Sequence, residues 1–414
     1  MVRDEVRTAV RAAIEAARAH AQAAPVRLPA RRYVDRSFYD AERAEIFGRA
    51  WLLAGRLDEV PTPGLYMTWE KTRIPLLIVH AVDGVIRCFY NSCRHRGAPV
   101  VRVARGRNRA LRCQYHSWTY DTTGKLVSVP DERDFVDLRR EERALVPVNC
   151  TLSAGGIFVN EDADAPPLDT WFGAAGEESG AVDGGGLRTL AQRAVTIPVN
   201  WKRVMERFLN APPVPPRPGL PAPAVEAGAT SVEAFAGGHL RIVAPFDEPS
   251  AGALGLANPL AWTDLQDEGL TDIPSLDPMF RSTATTYALF PNVLLTFTPS
   301  GVFSFALWPS DEETTLLEAT WYAPDWGEAD SPEALPGWQA RIAWAQSQLD
   351  ETGGALDRAQ AEMQEPARQG LALQNVSEAV RLWHEALDAR IHAVVPADTL
   401  VGAVPGEVRS PVRG

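Results

Sequence analysis

Two short segments of the sequence place cysteine and histidine side by side at similar spacing. Cys93 and His95 form the first pair, and after an interval of seventeen residues Cys113 and His116 form the second. Two thiolates and two imidazoles can bind a [2Fe-2S] cluster of the Rieske type, in which the cysteines hold one iron and the histidines hold the other. Such a centre has a reduction potential of about −150 to +300 mV, which suits a one-electron relay. The motif therefore predicts that these four residues are the cluster and metal ligands.

A structural zinc site is the alternative, because zinc also accepts two cysteines and two histidines. Zinc fingers pair cysteine with cysteine and histidine with histidine, whereas each segment here supplies one of each. An asymmetric two-iron cluster requires the mixed arrangement. Glycines in the flanking turns permit positive φ, and backbone N–H groups in such turns can point at the cluster sulfurs. Trp118 and Tyr120, which follow the second pair, are expected to shield the cluster.

The remaining cysteines and the overall charge limit the location and the partners. Cys88 and Cys150 lie in apolar, strand-like runs, where a buried free thiol is expected. Four cysteines in 414 residues and the lack of an apolar leader predict a cytoplasmic location, and no apolar run is long enough to span a bilayer. A net charge of −12 disfavours nucleic acid and anionic membranes as partners.

The pattern of apolar residues divides the chain into regions. Residues 2–23 have helical spacing, and residues 51–148 consist of short alternating runs broken by turns, which predict a small antiparallel β domain. A stretch rich in glycine, alanine and acidic residues over 174–186 predicts an exposed loop. A short helix over 200–209 must then end, because seven prolines occur between Pro212 and Pro223.

The second half of the chain has its own sheet and closing helices. Five runs predict antiparallel strands over 239–245, 283–290, 293–298, 302–308 and 314–322. Three further segments have helical periodicity, over 337–349, 355–369 and 376–392.

Several motifs occur in one order along nearly the whole chain: Ala50-Trp51, Pro63-Gly64, Asn91–Gly97, Cys113–Trp118, Asn200-Trp201-Lys202, Gly238-His239, Phe290-Pro291-Asn292 and Trp308-Pro309. In these motifs the chain resembles the α subunits of Rieske non-haem iron oxygenases, the ring-hydroxylating and demethylating enzymes. The resemblance implies an α+β fold with an N-terminal Rieske [2Fe-2S] antiparallel β domain and a helix-grip (START-like) domain with a central antiparallel sheet. The expected boundaries are 1–44 for a helical segment packed on the C-terminal domain, 45–155 for the Rieske domain and 156–414 for the oxygenase-type domain.

The resemblance fails at the second metal of that family, a mononuclear Fe(II) bound by two histidines and one carboxylate. In the register set by Asn200 and Glu206, the positions of the two iron histidines are occupied by Pro213 and Pro218. Proline has no side-chain atom that can bind iron, so mononuclear Fe(II) is predicted to be absent. Three other positions of the family pattern also differ. The acid that bridges neighbouring subunits in the family falls at Asn210, and the tyrosine of the pattern falls at Pro212. The third iron ligand falls at Gln360, with Asp357, Glu362 and Glu365 nearby.

The seven histidines leave little material for a rebuilt iron site. His95 and His116 are assigned to the cluster, His20 lies in the N-terminal helix, and His80 and His392 have polar, surface-like contexts. The resemblance implies that the remaining two, His239 and His384, are family features other than iron ligands. Glu206 is expected to be a helix carboxylate satisfied by hydrogen bonds.

These observations lead to one main hypothesis. In the family that the chain resembles, subunits pack head to tail and each cluster serves the iron of its neighbour. A subunit that keeps its cluster and lacks its own iron can therefore feed a catalytically competent α-type Rieske oxygenase subunit in a mixed trimeric or hexameric ring. A ferredoxin or a flavin reductase would supply the electrons, and the chain would have no catalytic residues of its own.

Two other functions stay open. The chain could be a self-sufficient oxygenase that hydroxylates or demethylates a small organic substrate with atypical iron ligands. Alternatively it could be a pseudoenzyme that binds a ligand or regulates a partner, with a pocket along the apolar strands between Phe290 and Trp308. Aromatic residues at strand spacing are more often simple core.

Overall fold

The computed structural model describes residues 28–183, 186–210, 230–245, 283–298, 301–324 and 377–395, with isolated positions at 273, 339, 342, 343, 346, 347 and 350. These residues divide into two compact units. The ligand-loop unit is Phe47–Leu168, and the large-sheet unit contains the described residues before and after it. The expected N-terminal helix over 2–23 and the helices over 337–349 and 355–369 lie wholly or mostly outside the described residues.

The ligand-loop unit is an antiparallel β structure of two sheets. Its larger sheet has seven strands in the order β1-β10-β9-β4-β3-β2-β5, and the smaller sheet has three in the order β6-β7-β8. In chain order the strands are β1 Leu52–Arg56, β2 Leu65–Trp69, β3 Leu76–His80, β4 Ile86–Tyr90, β5 Arg105–Arg107, β6 Ala110–Arg112, β7 Thr119–Asp121, β8 Leu126–Ser128, β9 Pro147–Ser153 and β10 Gly156–Asn160.

A buried asparagine fixes the shape of the first ligand loop, which begins where β4 ends. The Asn91 side-chain oxygen accepts the backbone N–H groups of Val100 and Val101 at 2.9 and 3.1 Å. Its amide nitrogen donates to the carbonyl of Val101 at 2.8 Å. The loop thus closes on itself, because one buried side chain joins its two ends.

The boundary expected at residue 155 falls inside a hairpin. β9 and β10 pair in register from Asn149 with Asn160 to Ser153 with Gly156, and β10 also pairs with β1. The end of the ligand-loop unit therefore lies at Leu168. Ala154 and Gly155, both with positive φ, form the turn that the expected boundary would have cut.

The large-sheet unit has a second antiparallel sheet with strands ordered β11-β17-β16-β15-β14-β13-β12. The strands are β11 Leu187–Ile197, β12 Ser231–Ala234, β13 Leu240–Pro245, β14 Thr283–Leu289, β15 Val293–Thr298, β16 Gly301–Pro309 and β17 Thr315–Pro324. Its described α-helices are α1 Arg36–Ala41, α2 Leu168–Asp183, α3 Trp201–Asn210 and α4 Glu378–Ile391. This architecture confirms the α+β fold, and the five strands expected in this half are present within about two residues of their ends.

Helix α3 packs against the sheet through aromatic side chains. Phe208 stacks on Phe305 of β16 with ring centroids 4.5 Å apart, and Trp201 meets Trp383 of α4 edge to face at 5.1 Å. All four side chains are buried. Offset and edge-to-face aromatic pairs each add about 0.5–1.5 kcal/mol beyond the area that they bury.

The expectation of an exposed loop over 174–186 is wrong, because residues up to Asp183 continue α2. Gly173, at φ 49° and ψ −138°, breaks the helix, and the chain resumes a helical path after it. Ala175 is buried, and Glu178 accepts hydrogen bonds from Arg241 and Tyr287 at 2.7 and 2.9 Å. These contacts come from β13 and β14, so the local composition carried no sign of them.

No helix among the described residues is both long enough and apolar enough to cross a membrane.

Candidate iron-sulfur centre

The two ligand loops present their cysteines and histidines in different environments. Cys93 and Cys113 are 3% and 2% exposed, within a core that also includes Leu111. His116 is exposed and His95 is half-buried. The four predicted ligands thus form an inner pair of thiols and an outer pair of imidazoles.

Ring contacts bring the two loops together. The rings of His95 and His116 lie 4.7 Å apart between centroids and nearly perpendicular to each other. Trp118 stacks on His95 at 5.0 Å with an interplanar angle of 14°, and Phe135 meets both of these rings edge to face. The orientation of His95 is therefore fixed by packing against Trp118 and Phe135. No sequence signal indicated Phe135, and shielding of the cluster by Trp118 stays a prediction.

Tyr120 is a hydrogen-bonding neighbour of one thiol. Its hydroxyl oxygen lies 3.3 Å from the Cys93 sulfur and accepts the backbone N–H of Arg94 at 3.0 Å. Burial raises the pKa of Tyr120 well above its ordinary value, and the hydrogen bond with Cys93 adds to this shift. The hydroxyl therefore keeps its proton and can donate it toward the sulfur.

The donor set fits a Rieske cluster. Two buried sulfurs and two outer imidazole rings match the division of protein ligands between the two irons. Burial raises the pKa of Cys93, so metal binding must displace a proton that the thiol otherwise keeps. Burial also lowers the pKa of His95, helped by His116 and Arg96, which favours the neutral imidazole that a metal requires.

Replacing Tyr120 with phenylalanine is expected to lower the reduction potential of the cluster by on the order of 50 mV. A hydrogen bond to a ligand sulfur stabilises the reduced, more negative state, and a neutral hydrogen bond contributes about 1 kcal/mol. For one electron, about 59 mV corresponds to a tenfold change in the equilibrium constant. A redox titration followed by visible absorbance measures the shift, and an unchanged potential would contradict it. Tyr66→Phe, in the same unit, is the matched control.

The other two cysteines are separate from the loops. Cys88 is buried on β4, as expected, and Cys150 on β9 is half-buried rather than buried. Burial raises the pKa of Cys150 to about 12 and that of Cys88 well above its ordinary value. Both thiols are free, and their raised pKa values keep them protonated at neutral pH. That they have no chemical role stays a prediction.

In the large-sheet unit, Glu206 of α3 is the centre of a buried polar network. It accepts hydrogen bonds from Tyr33 at 2.5 Å, from His384 at 2.9 Å and from Arg203 at 2.6 Å. Burial alone would raise the pKa of Glu206, but the hydrogen bond from His384 and the charge of Arg203 outweigh it and lower the pKa. Glu206 is thus a satisfied helix carboxylate, as expected.

The two buried histidines of this unit, His239 and His384, use both ring nitrogens in hydrogen bonds. His384 Nδ1 accepts from Arg32 at 3.0 Å while Nε2 donates to Glu206. His239 Nδ1 accepts the N–H of Phe290 at 3.0 Å, and Nε2 donates to the carbonyl of Trp171 at 3.0 Å. Neither imidazole has a nitrogen left for a metal in this arrangement.

His80 corrects one expectation from the sequence. Its context looked exposed, but the side chain is buried on β3, and Nδ1 lies 2.7 Å from the carbonyl of Val60. Val60 lies twenty residues earlier in the sequence, so the local pattern around His80 gave no sign of this contact. His392 is exposed, as expected.

Acid is expected to destabilise the large-sheet unit through His239. Burial lowers its pKa to about 4 in the folded chain, against about 6.5 when unfolded. The unfolded state therefore binds more protons below pH 6.5, so this part of the stability is present above that pH and is lost as the pH falls toward 4. Between pH 7.5 and 5.0 the loss from this residue is about 2 kcal/mol.

Urea unfolding of His239→Gln at both pH values tests this expectation, because glutamine keeps polar atoms and does not titrate. The drop in stability on acidification should be smaller by about 2 kcal/mol in the variant than in the natural chain. His392→Gln, at an exposed histidine, should leave the drop unchanged. Equal drops in all three proteins would contradict the assignment.

Comparison with known proteins assigns both units. Residues 50–146 match the Rieske [2Fe-2S] domain, and residues 185–393 match the ring hydroxylating alpha subunit (catalytic domain). The chain belongs to the ring-hydroxylating α-subunit family. The predicted resemblance, the Rieske domain and the antiparallel sheet of the second unit are thereby confirmed.

Named relatives of this α-subunit chain include oxygenases of two kinds. It is 39% identical over 189 residues to the biphenyl 2,3-dioxygenase subunit alpha of Rhodococcus jostii, covering 44% of this chain and 41% of the relative. The glycine betaine monooxygenase oxygenase subunit of Pseudomonas aeruginosa is 29% identical over 179 residues, covering 43% and 42%. The matched part of the chain thus spans less than half the length of these curated relatives.

Solved structures share the fold over most of the α-subunit chain. The quaternary ammonium Rieske monooxygenase CntA with a bound inhibitor superposes with a TM-score of 0.71 at 19% identity, covering 91% of this chain and 97% of the other. Naphthalene 1,2-dioxygenase from Rhodococcus sp. gives 0.68 at 20% identity, covering 96% and 100%.

Most positions that the family pattern aligns with a mononuclear iron site lie outside the described residues. They are Pro212, Pro213, Pro218, Asp357, Gln360, Glu362 and Glu365. Asn210, the last residue of α3, is described and exposed. Within the described ranges, no three His, Cys, Asp or Glu side chains are placed to hold one metal ion.

Proposed function

We propose that the chain is the Rieske iron-sulfur subunit of a hetero-oligomeric non-haem iron oxygenase. It would receive electrons from a ferredoxin or flavin reductase and pass them to the mononuclear iron of a partner α subunit. One observation carries the proposal: a complete cluster motif stands beside prolines at the positions of both iron histidines. Cys93, His95, Cys113 and His116 would hold the cluster, which supplies a one-electron carrier when bound.

The environment of the four side chains supports this use. Burial of Cys93 and Cys113 keeps water away from the sulfurs, while the outer position of His95 and His116 leaves a route for electrons into and out of the unit. Trp118 holds His95 in one orientation, and Tyr120 directs its hydroxyl proton toward the Cys93 sulfur. The protein thus sets the position of the ligands and their hydrogen bonding, both of which tune an iron-sulfur centre.

The role of a partner subunit rests on relatives as well. One solved structure whose fold this chain shares, that of a quaternary ammonium Rieske monooxygenase, is described as giving insights into carnitine oxidation and inter-subunit electron transfer. A subunit without its own iron would depend on transfer of that kind. The partner would be an α-type chain that retains two histidines and a carboxylate, in a mixed trimeric or hexameric ring.

Metal analysis of the purified chain tests the proposal. After anaerobic reconstitution with iron and sulfide, the chain alone should retain about two irons and show no oxygenase turnover. Added Fe(II) should pass through gel filtration without being retained. A third iron with the magnetic signal of a mononuclear ferrous site, or hydroxylation by the chain alone, would overturn the proposal. Turnover should appear when an α subunit with an intact iron site is added.

A self-sufficient oxygenase is the second candidate, because the relatives named above are oxygenase subunits. It would need iron ligands other than the expected histidines, and the carboxylates Asp357, Glu362 and Glu365 are the acidic residues nearest the expected third position. The same Fe(II) titration separates the two candidates, because only this one predicts a mononuclear ferrous signal in the chain alone.

A further inference from the structure

Trp321 of β17 has a buried hydrogen-bond donor without an acceptor. The residue is 2% exposed, and within the described ranges its indole Nε1–H has no partner. The other three fully buried tryptophans described in the large-sheet unit each donate to an acceptor at 2.7–3.0 Å: Trp201, Trp308 and Trp383. Native chains rarely leave a buried donor unpaired, because its lost hydrogen bond to water is not replaced. The N–H of Trp321 is therefore available to a bound molecule.

Strand pairing places Trp321 in a row of side chains that crosses four strands. β14, β15, β16 and β17 pair so that Thr286, Thr296, Phe303 and Trp321 lie opposite one another in turn. Side chains of directly paired residues point to the same face of a sheet. All four residues are buried. This β14–β17 row has two hydroxyl groups on its β14 side and the indole on its β17 side.

The β14–β17 row faces α3. Phe305 lies two residues after Phe303 on β16, so it shares the same face, and its ring stacks on that of Phe208 in α3. The Phe303 ring lies 4.3 Å from that of Phe305 and 4.5 Å from the indole of Trp321, between centroids. Ala191 of β11 occupies the paired position on the other side of Trp321. These neighbours are aromatic rings and a methyl group, none of which accepts a strong hydrogen bond.

The hydroxyl groups of the row already satisfy each other. The Thr286 and Thr296 oxygens lie 2.9 Å apart, so one hydroxyl donates to the other. Among the four described residues of the row, the Trp321 N–H is thus the polar group that lacks a partner. A molecule that lies on the row needs one acceptor atom. It should also be uncharged, because the row has no ionised side chain and burying an ion without a counter-charge is costly.

We propose that the α3 side of the large sheet binds a planar, apolar and uncharged molecule through one acceptor atom, which takes a hydrogen bond from the Nε1–H of Trp321. A ring nitrogen or a carbonyl oxygen has the required lone pair. The flat part of the molecule would pack on the Phe303 ring, since aromatic rings favour offset-stacked or edge-to-face contact. Neither the cluster nor a mononuclear iron takes part in this binding, so the inference goes beyond the proposed function and does not depend on it.

One buried donor can select between ligands of the same shape. Small-molecule sites are mostly apolar, and a few polar groups in them fix the orientation of the ligand. An analogue that lacks the acceptor leaves the donor unpaired, so it loses the hydrogen bond and gains nothing in return. Trp321 is therefore expected to determine specificity, whereas Phe303 provides contact area to any flat molecule.

Binding of quinoline and naphthalene to the full, cluster-loaded chain tests the proposal. The two molecules have the same bicyclic shape, and quinoline has a ring nitrogen in place of one C–H group. Anaerobic equilibrium dialysis measures both affinities, and their ratio removes the contribution of the shared shape. The variant Trp321→Phe keeps an aromatic side chain and removes the N–H. The ratio of quinoline affinity to naphthalene affinity should therefore be about tenfold lower in this variant than in the natural chain.

Trp308→Phe is the matched control, because it removes a buried indole of the same sheet whose N–H is paired with Glu318. Its affinity ratio should stay within about twofold of that of the natural chain. An equal ratio in the natural chain and in Trp321→Phe would overturn the proposal, as would the absence of binding of both molecules up to their solubility limits.

A second measurement needs no variant and so remains decisive if Trp321→Phe does not fold. N-methylquinolinium has the quinoline shape but has a positive charge and no lone pair on nitrogen. It should bind the natural chain at least about tenfold more weakly than quinoline. Equal binding of the two would overturn the proposal. The iron content of the chain reports on the proposed function separately, so either conclusion can fail while the other holds.

Discussion

Replacing Cys93 with alanine is expected to remove the whole cluster and to abolish electron uptake. Alanine has no atom that can bind iron, and the two thiols that are not predicted ligands, Cys88 and Cys150, lie on β4 and β9 rather than in the loops. The chain should fall from about two irons and two sulfides to none. Iron and acid-labile sulfide analysis measures the loss, together with the visible absorbance.

Cys88→Ala is the matched control, because it also removes a buried thiol from the same unit. It should keep the full iron content, since no chemistry is assigned to that residue. A Cys93→Ala chain that still held two irons would contradict the assignment of the ligands. Loss of iron in both variants would indicate that the unit had unfolded, and circular dichroism of each variant distinguishes this outcome.

Replacing Lys202 with methionine is expected to destabilise the large-sheet unit by about 3–5 kcal/mol. The Lys202 ammonium lies 2.7 Å from a carboxylate oxygen of Glu42, and both side chains are 0% exposed. Burial raises the pKa of Glu42 and lowers that of Lys202, and each partner opposes the shift of the other. Removing the lysine leaves a buried carboxylate without its counter-charge. Urea unfolding followed by tryptophan fluorescence measures the change.

Two controls show whether the buried charge is the cause. Adding Glu42→Gln to Lys202→Met removes the buried unpaired charge, and the glutamine still accepts the hydrogen bond from Trp201. About half or more of the lost unfolding free energy should therefore be recovered. Arg139→Gln breaks an exposed pair with Glu142 and should cost less than about 1 kcal/mol. If the double variant were as unstable as Lys202→Met, lost packing rather than charge would explain the effect.

The buried network also explains why α3 keeps its motif. Asn200, Trp201, Lys202 and Glu206 all make buried hydrogen bonds or ion pairs, to Tyr33, to Glu42 just after α1, or to His384 of α4. These residues hold the helix in place whether or not a metal is bound after it. A chain could therefore keep this part of the family pattern even without the iron histidines, as the proposed function requires.

The sequence alone determined the cluster motif, the family and most strands. The sequence signals for these features are local. Two ligands that are close in sequence share a loop, and the alternation of side chains along a strand has a period of two residues. Local sequence patterns also predicted turns at Gly97 and Gly124, and both residues have positive φ. At Gly124 a Cβ atom would also lie about 2.5 Å from the Phe89 ring, so this turn permits only glycine.

Only the tertiary structure decided which side chains meet across long separations. It buried His80 against the carbonyl of Val60, continued α2 through residues whose composition suggested a loop, and paired Lys202 with Glu42. It placed Cys93 and Cys113 inside the unit and left the histidines closer to its surface. Burial and electrostatic pairing depend on neighbours that folding brings together, and a one-dimensional pattern carries no information about those neighbours.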